Sequence, residues 1–177
     1  VKFIQTEIAG VHLVDMEPIE DERGFFARAF CQREFSRAGL DFSPVQANFS
    51  YNYQQGTLRG MHYQVPPHGE DKLIRVVRGA IFDVALDLRP ESETYCHWVG
   101  FHLSAENRRS LYLPQGCAHG YLTLADDCEV YYLVSAEYSP KASRVVRWND
   151  PTFGIEWPMA SPRVISDNDR NAMDFRP

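Results

Sequence analysis

A chain of 177 residues with 44% hydrophobic and 24% charged residues can bury one core without disulfide or metal staples. Its net charge of −6, with no basic block, argues against a nucleic-acid binder, because phosphate contacts need clustered Lys and Arg; no run of about eighteen apolar residues offers a membrane span. The four cysteines, Cys31, Cys96, Cys117 and Cys128, show no C-x-x-C spacing and no segment reads as a secretory leader, so reduced thiols and a cytoplasmic location are expected.

Residues 1–17 alternate apolar and polar side chains around Val11 to Val14, as a half-buried strand does, and stop at Pro18. Asp21-Glu22-Arg23-Gly24-Phe25-Phe26 suits a turn running into a strand. Residues 32–39 mix polar side chains with Phe35 and Ala38 and end at Gly39-Leu40, which makes them the best helix candidate before the C-terminus. Residues 45–53 alternate strictly, setting Gln46, Asn48 and Ser50 on one face and Val45, Ala47, Phe49 and Tyr51 on the other. The amide face either meets water or lines a polar cavity.

After Gly56, strands are expected at 57–64, 72–78, 80–88, 97–103, 110–113, 121–124, 129–135 and 143–148, separated by Gly, Pro and Asp-Asp turn signals. That many short strands predict an all-β fold, a double-sheet jelly roll of the cupin-like double-stranded β-helix kind with a few short helices. No G-x-G-x-x-G or P-loop follows a strand, which argues against a bound nicotinamide or a nucleotide-hydrolysing fold. Beyond Asp150-Pro151 the chain is loop-like until residues 166–169, a helix start capped by Ser166 or Asp167. The expected organisation is one domain over residues 1–177, with a core at about 43–150 and the N-terminal strands and C-terminal helices packed on it.

The segment 56–64, G-T-L-R-G-M-H-Y-Q, places a lone histidine in a strand. Alternation puts Arg59 and His62 on opposite faces unless a bulge at Gly60 turns one of them. Two chemical readings compete for His62. It is a metal ligand with His68, Glu70 and His119, or a metal-free general base oriented by a carboxylate. The absence of an H-x-H pair, residues 60 and 64 being Gly and Gln, favours the base.

T-L-R-G-M-H-Y-Q, K-L-I-R-V-V-R-G-A-I-F-D-V-A-L-D-L-R, L-S-A-E-N, P-Q-G-C-A-H-G, R-W-N-D-P and I-E-W-P occur in one order between residues 21 and about 169, and together they resemble the dTDP-4-dehydrorhamnose 3,5-epimerase family. The resemblance implies a dimeric jelly roll that binds a nucleotide-diphospho-4-keto-6-deoxy sugar and inverts C3, C5 or both, without metal or redox cofactor. By position, His62 matches the family's base, Asp169 its orienting carboxylate and Tyr132 the acid on the opposite face. Lys72 and His119 match the groups around the ketone oxygen. Arg23, Phe26, Arg28, Gln46, Asn48, Arg59 and Tyr138 fall at substrate-contact positions.

The chemistry needs such a set. Carbon beside a ketone is a far weaker acid than imidazolium, so abstraction succeeds only if the enolate is stabilised as it forms; a cation aimed at its oxygen contributes roughly 3 kcal/mol or more in a dry site. Inversion then needs a donor on the other face, and a phenol with an intrinsic pKa near ~10 stays protonated for that role. Arg28, Ser143-Arg144 and Asn168 depart from the family pattern, which has Glu, Glu and Lys there, at positions it uses toward the nucleotide. The reaction type is therefore expected to be kept, with the nucleotide open. The alternatives are a single-site epimerase or ketoisomerase on another nucleotide-linked 4-keto sugar such as a CDP sugar, a metal-dependent jelly-roll oxygenase, and a non-catalytic sugar-binding jelly roll.

Overall fold

Alternating segments become strands at nearly every place the pattern predicts in a computed structural model, which describes residues 1–176. The N-terminal segment forms β1 (Lys2–Gln5) and β2 (His12–Asp15), paired antiparallel, rather than the single strand its alternation suggests; Gly10, at φ +80, helps the chain reverse. β3 (Ile19–Asp21) and β4 (Gly24–Phe26) form a hairpin that pairs with no other strand among the described residues. Helix α1 (Gln32–Arg37) buries Phe35 and gives way to Gly39 at φ +79, so it stops earlier than predicted.

Then follow β5 (Gln46–Asn52), β6 (Thr57–Gln64), β7 (Lys72–Arg78), β8 (Ala80–Asp87) and β9 (Trp98–Ser104). The barrel continues with β10 (Ser110–Leu113), β11 (Cys117–Thr123), β12 (Cys128–Val134) and β13 (Ser143–Val145), and the chain closes with β14 (Val164–Ile165) and α2 (Asp167–Arg170). β11 starts at Cys117, well before the predicted 121, because the small residues of C-A-H-G show no apolar–polar contrast. β13 ends at Val145 instead of running to 148. No helix among the described residues is long and apolar enough to cross a membrane.

Two sheets of this jelly roll face each other. One runs β1-β2-β10-β7-β12-β5 and the other β13-β6-β11-β8-β9, with β14 parallel on the β6 edge that β13 leaves free. Residues alternate across each strand, so Ile74, Val76, Leu111 and Val130 from the first sheet meet Ile81, Ala85, Leu103 and Tyr121 from the second in the inner core. The outer face of the second sheet is covered by C-terminal residues, with Met61, Val84 and Ala118 under Ile155, Trp157 and Phe175. On the outer face of the first sheet, Phe35 and Phe42 cover Val14, Leu73 and Tyr112. The core does not fill the space between the sheets near β5, β12 and β6, and polar side chains line what remains.

Candidate active site

β6 supplies the centre of that hollow. Opposite Gly60 the β6–β11 register shifts, pairing His62 with His119 but Arg59 with Tyr121. His119 and Tyr121 are two residues apart on β11 and share its inner face, so the bulge turns Arg59 and His62 inward together. An added Cβ on Gly60 would lie 2.5 Å from Gly120 Cα; the close approach of the two backbones needs glycine.

His62 Nε2 lies 2.6 Å from Asp169 Oδ1, joining residues 107 apart in sequence. Ser166 caps α2 by accepting the Asp169 N–H at 3.1 Å, and Asp169 Oδ2 accepts the Gly60 N–H at 3.2 Å. Both carboxylate oxygens are thus committed. Burial pushes the Asp169 carboxyl up, but the hydrogen bond and charge of His62, with the Gly60 N–H and Ser166, outweigh it and hold the group below its ordinary value. An ionised carboxylate only accepts, so Nε2 carries the proton and Nδ1 the free lone pair. Asp169 is 4% exposed and His62 41% exposed, which leaves the imidazole open to a ligand.

The cavity, about 510 Å³, has His62 and Gln64 on one wall and Gln46, Asn48, Lys72 and Tyr132 on the facing sheet; Glu70, Tyr138, Ser143 and Asn168 complete its rim. An adjoining pocket of about 380 Å³ shares His62 and Asn168 and extends to Arg59. Arg59 donates Nε to Asn52 Oδ1 at 2.8 Å, and Lys72 Nζ stands 3.0 Å from Glu70 Oε1. Burial raises the Tyr132 phenol, Glu70 adds to the rise and Arg59 opposes it, so the group stays a donor at neutral pH. His119 Nε2 lies 2.7 Å from Asp83 Oδ1.

Eight predicted residues therefore surround the cavity and its extension: His62, Asp169, Tyr132, Lys72, Gln46, Asn48, Arg59 and Tyr138. His119 sits beside His62 on β11 without lining the main cavity. Arg23, Phe26 and Arg28 are not brought in: Arg23 is 85% exposed and bonded to Asp21, Phe26 lies on the exposed hairpin, and Arg28 pairs with Glu34. Among the described residues no group of three or more His, Cys, Asp or Glu side chains is placed to hold a metal. Sequence reasoning missed Asp83, whose Oδ2 is buried without a partner among the described residues, and Gln64, which bonds across the rim. For Asp83 the signal was present, a carboxylate at the inward parity of Ile81 and Ala85 in a strand whose other residues are apolar up to the terminal Asp87.

Fold and cavity define a jelly-roll enzyme of the acid–base type. The profile described as dTDP-4-dehydrorhamnose 3,5-epimerase matches residues 5–177. The chain belongs to this family and is an epimerase, an isomerase-class enzyme. It is 44% identical over 178 residues to the dTDP-4-dehydrorhamnose 3,5-epimerase of Methanothermobacter thermautotrophicus, covering 99% of this chain and 95% of that one. The Bacillus anthracis dTDP-4-dehydrorhamnose 3,5-epimerase, crystallised with TDP and PPi bound, superposes with a TM-score of 0.94 at 40% identity, covering 98% of this chain and 99% of that one. A 3′-monoepimerase from Streptomyces bikiniensis, in complex with dTDP-quinovose, superposes with a TM-score of 0.88 at 35% identity, covering 96% and 85%.

Proposed function

We infer that the chain epimerises a dTDP-linked 4-keto-6-deoxyhexose at C3, C5 or both, needing no metal. His62 removes the proton beside the ketone, and Asp169 holds its tautomer and stabilises the imidazolium. Lys72, with His119 nearby, carries the charge that develops on the ketone oxygen. Tyr132 returns a proton from the other face. The observation that supports this reading best is the pairing of a carboxylate-backed imidazole on one sheet with a phenol and an ammonium on the facing sheet, around one cavity.

The test is isotope exchange. Incubated with the 4-keto-6-deoxy nucleotide sugar in deuterated water, the enzyme should introduce label at C3 or C5 as read by NMR, and His62→Ala should abolish it. Label entering with the His62→Ala protein unimpaired removes His62 as the base. A single-site reading rests on the similarity to a 3′-monoepimerase, which is lower than that to the 3,5-epimerases, and label confined to one carbon would select it. Ser143 and Asn168, two of the departures, line the cavity; calorimetric titration with dTDP, CDP, UDP and GDP should give tightest binding for dTDP.

The assembly that suits this site is a homodimer. The β3–β4 hairpin carries Arg23 and Phe26 away from their own cavity, and a second copy is where they can meet a nucleotide. A cytoplasmic location fits the four free cysteines.

A further inference from the structure

One acidic side chain on the cavity wall has no part in the proton transfers above. Glu70 lies in the turn between β6 and β7, with its side chain 12% exposed beside a Lys72 that is 10% exposed. Oε1 faces Lys72 Nζ at 3.0 Å, and Oε2 accepts from Gln64 Nε2 at 3.3 Å. Gln64 is buried and shares the two hydrogens of Nε2 among Glu70 and the His68 and Glu137 carbonyls, while its Oε1 accepts the Ser139 N–H. Lys72 is therefore the firm partner of the carboxylate and Gln64 a shared one.

A fixed negative charge is at odds with a site that must stabilise an enolate, unless it acts on the other partners. The charged and titratable groups around Tyr132 are Lys72 on β7, His62 backed by Asp169, Arg59 and Tyr63 on β6, Tyr121 on β11, and Tyr138 and Glu70 from the loops. Arg59 favours the phenolate, and Glu70 is the carboxylate on the cavity wall that opposes it. We propose that Glu70 is a positioning residue that holds the Lys72 ammonium against the cavity wall and keeps Tyr132 in its proton-donating form. The proposal rests on the proton-transfer function inferred above.

Glu70→Gln tests it, because the amide keeps an acceptor for Lys72 and a partner for Gln64 while removing the charge. A nearby carboxylate disfavours phenolate, so neutralising it lets Tyr132 ionise at lower pH. This moves the alkaline limb of kcat/KM downward, by about half a pH unit or more, and Glu70→Asp should restore it. Phenolate absorbance, taken as the difference between each protein and its Tyr132→Phe counterpart, should move the same way. An alkaline limb and phenol titration identical in wild type and Glu70→Gln overturn the proposal. A wild-type enzyme that exchanges no deuterium overturns the function instead, and the phenol titration still reads Glu70 without turnover.

Discussion

Within β6, Gly60 adopts φ +127, and a methyl group there would stand 2.5 Å from Gly120 Cα and 2.8 Å from the His119 carbonyl. Neither atom belongs to a side chain that can swing away, so Gly60→Ala should cost at least about 2 kcal/mol in denaturant unfolding and should also disturb the turn that sets His62 and Arg59 on one wall. The pattern of the segment could raise that bulge only as an option, since strict alternation separates the two residues and only a glycine hints otherwise. His62, Lys72, Tyr132 and Asp169 were legible through the family's motif order, not through spacing; nothing local says that residues 62 and 169 meet at 2.6 Å. Asp169→Asn tests the pair. An amide at this position can present its NH2 to the imidazole and select the wrong tautomer, so kcat should fall roughly 100-fold or more with KM little changed. Tyr132→Phe should instead leave deuterium exchange at the first carbon while inversion is lost.

The end of β8 shows how an element is pinned. Asp87 Oδ1 accepts the Arg89 backbone N–H at 3.0 Å and its Nε at 2.8 Å, while Oδ2 accepts Arg89 Nη2, Ser92 Oγ and Thr94 Oγ1. Arg89 also reaches the Ala9 carbonyl at 2.8 Å, tying the β8–β9 connection to the β1–β2 connection. Burial works to raise the Asp87 carboxyl, but these hydrogen bonds prevail and lower it to about 2. The folded value lies below the unfolded one, so the stabilisation is present above about pH 4 and is lost as pH falls through about 2; its size is roughly 2 kcal/mol. Thermal melts of wild type and Asp87→Asn should therefore differ at pH 7 and converge toward pH 2. Elements of this kind were readable where half-burial produced alternation, as in β5 and β6, and where a cap residue marked a start, as Ser166 does for α2. β11 was truncated because Ala118 and Gly120 carry too little side chain to show which face they serve.

At the scale of the whole molecule, the outer face of the sheet running from β1 to β5 is only half covered. Phe35 and Phe42 shield the β2 and β10 side, whereas Phe49, at 67% exposed, with Tyr51 and Val77 lies bare beside Tyr131. Arg75, on the same face, has Nη2 buried without a partner among the described residues. We propose that this patch is the face covered in the homodimer inferred above; sequence alternation identified its Phe49 and Tyr51 face without indicating what covers it. Phe49→Glu should lower the sedimenting mass to a monomer's and cut kcat/KM at least tenfold, whereas Met173→Glu, more exposed still at 84% but distant in sequence from this face, should do neither. Mixing subunits then tests whether the β3–β4 hairpin serves its neighbour. His62→Ala lacks the base, and Arg23→Ala lacks the cation on the hairpin. In a mixed dimer one cavity has its own His62 and receives Arg23 from the other subunit. Random pairing makes half the dimers mixed, each with one intact site of two, so about a quarter of wild-type activity should return. If each hairpin folds back on its own cavity, the mixture stays as inactive as its parts.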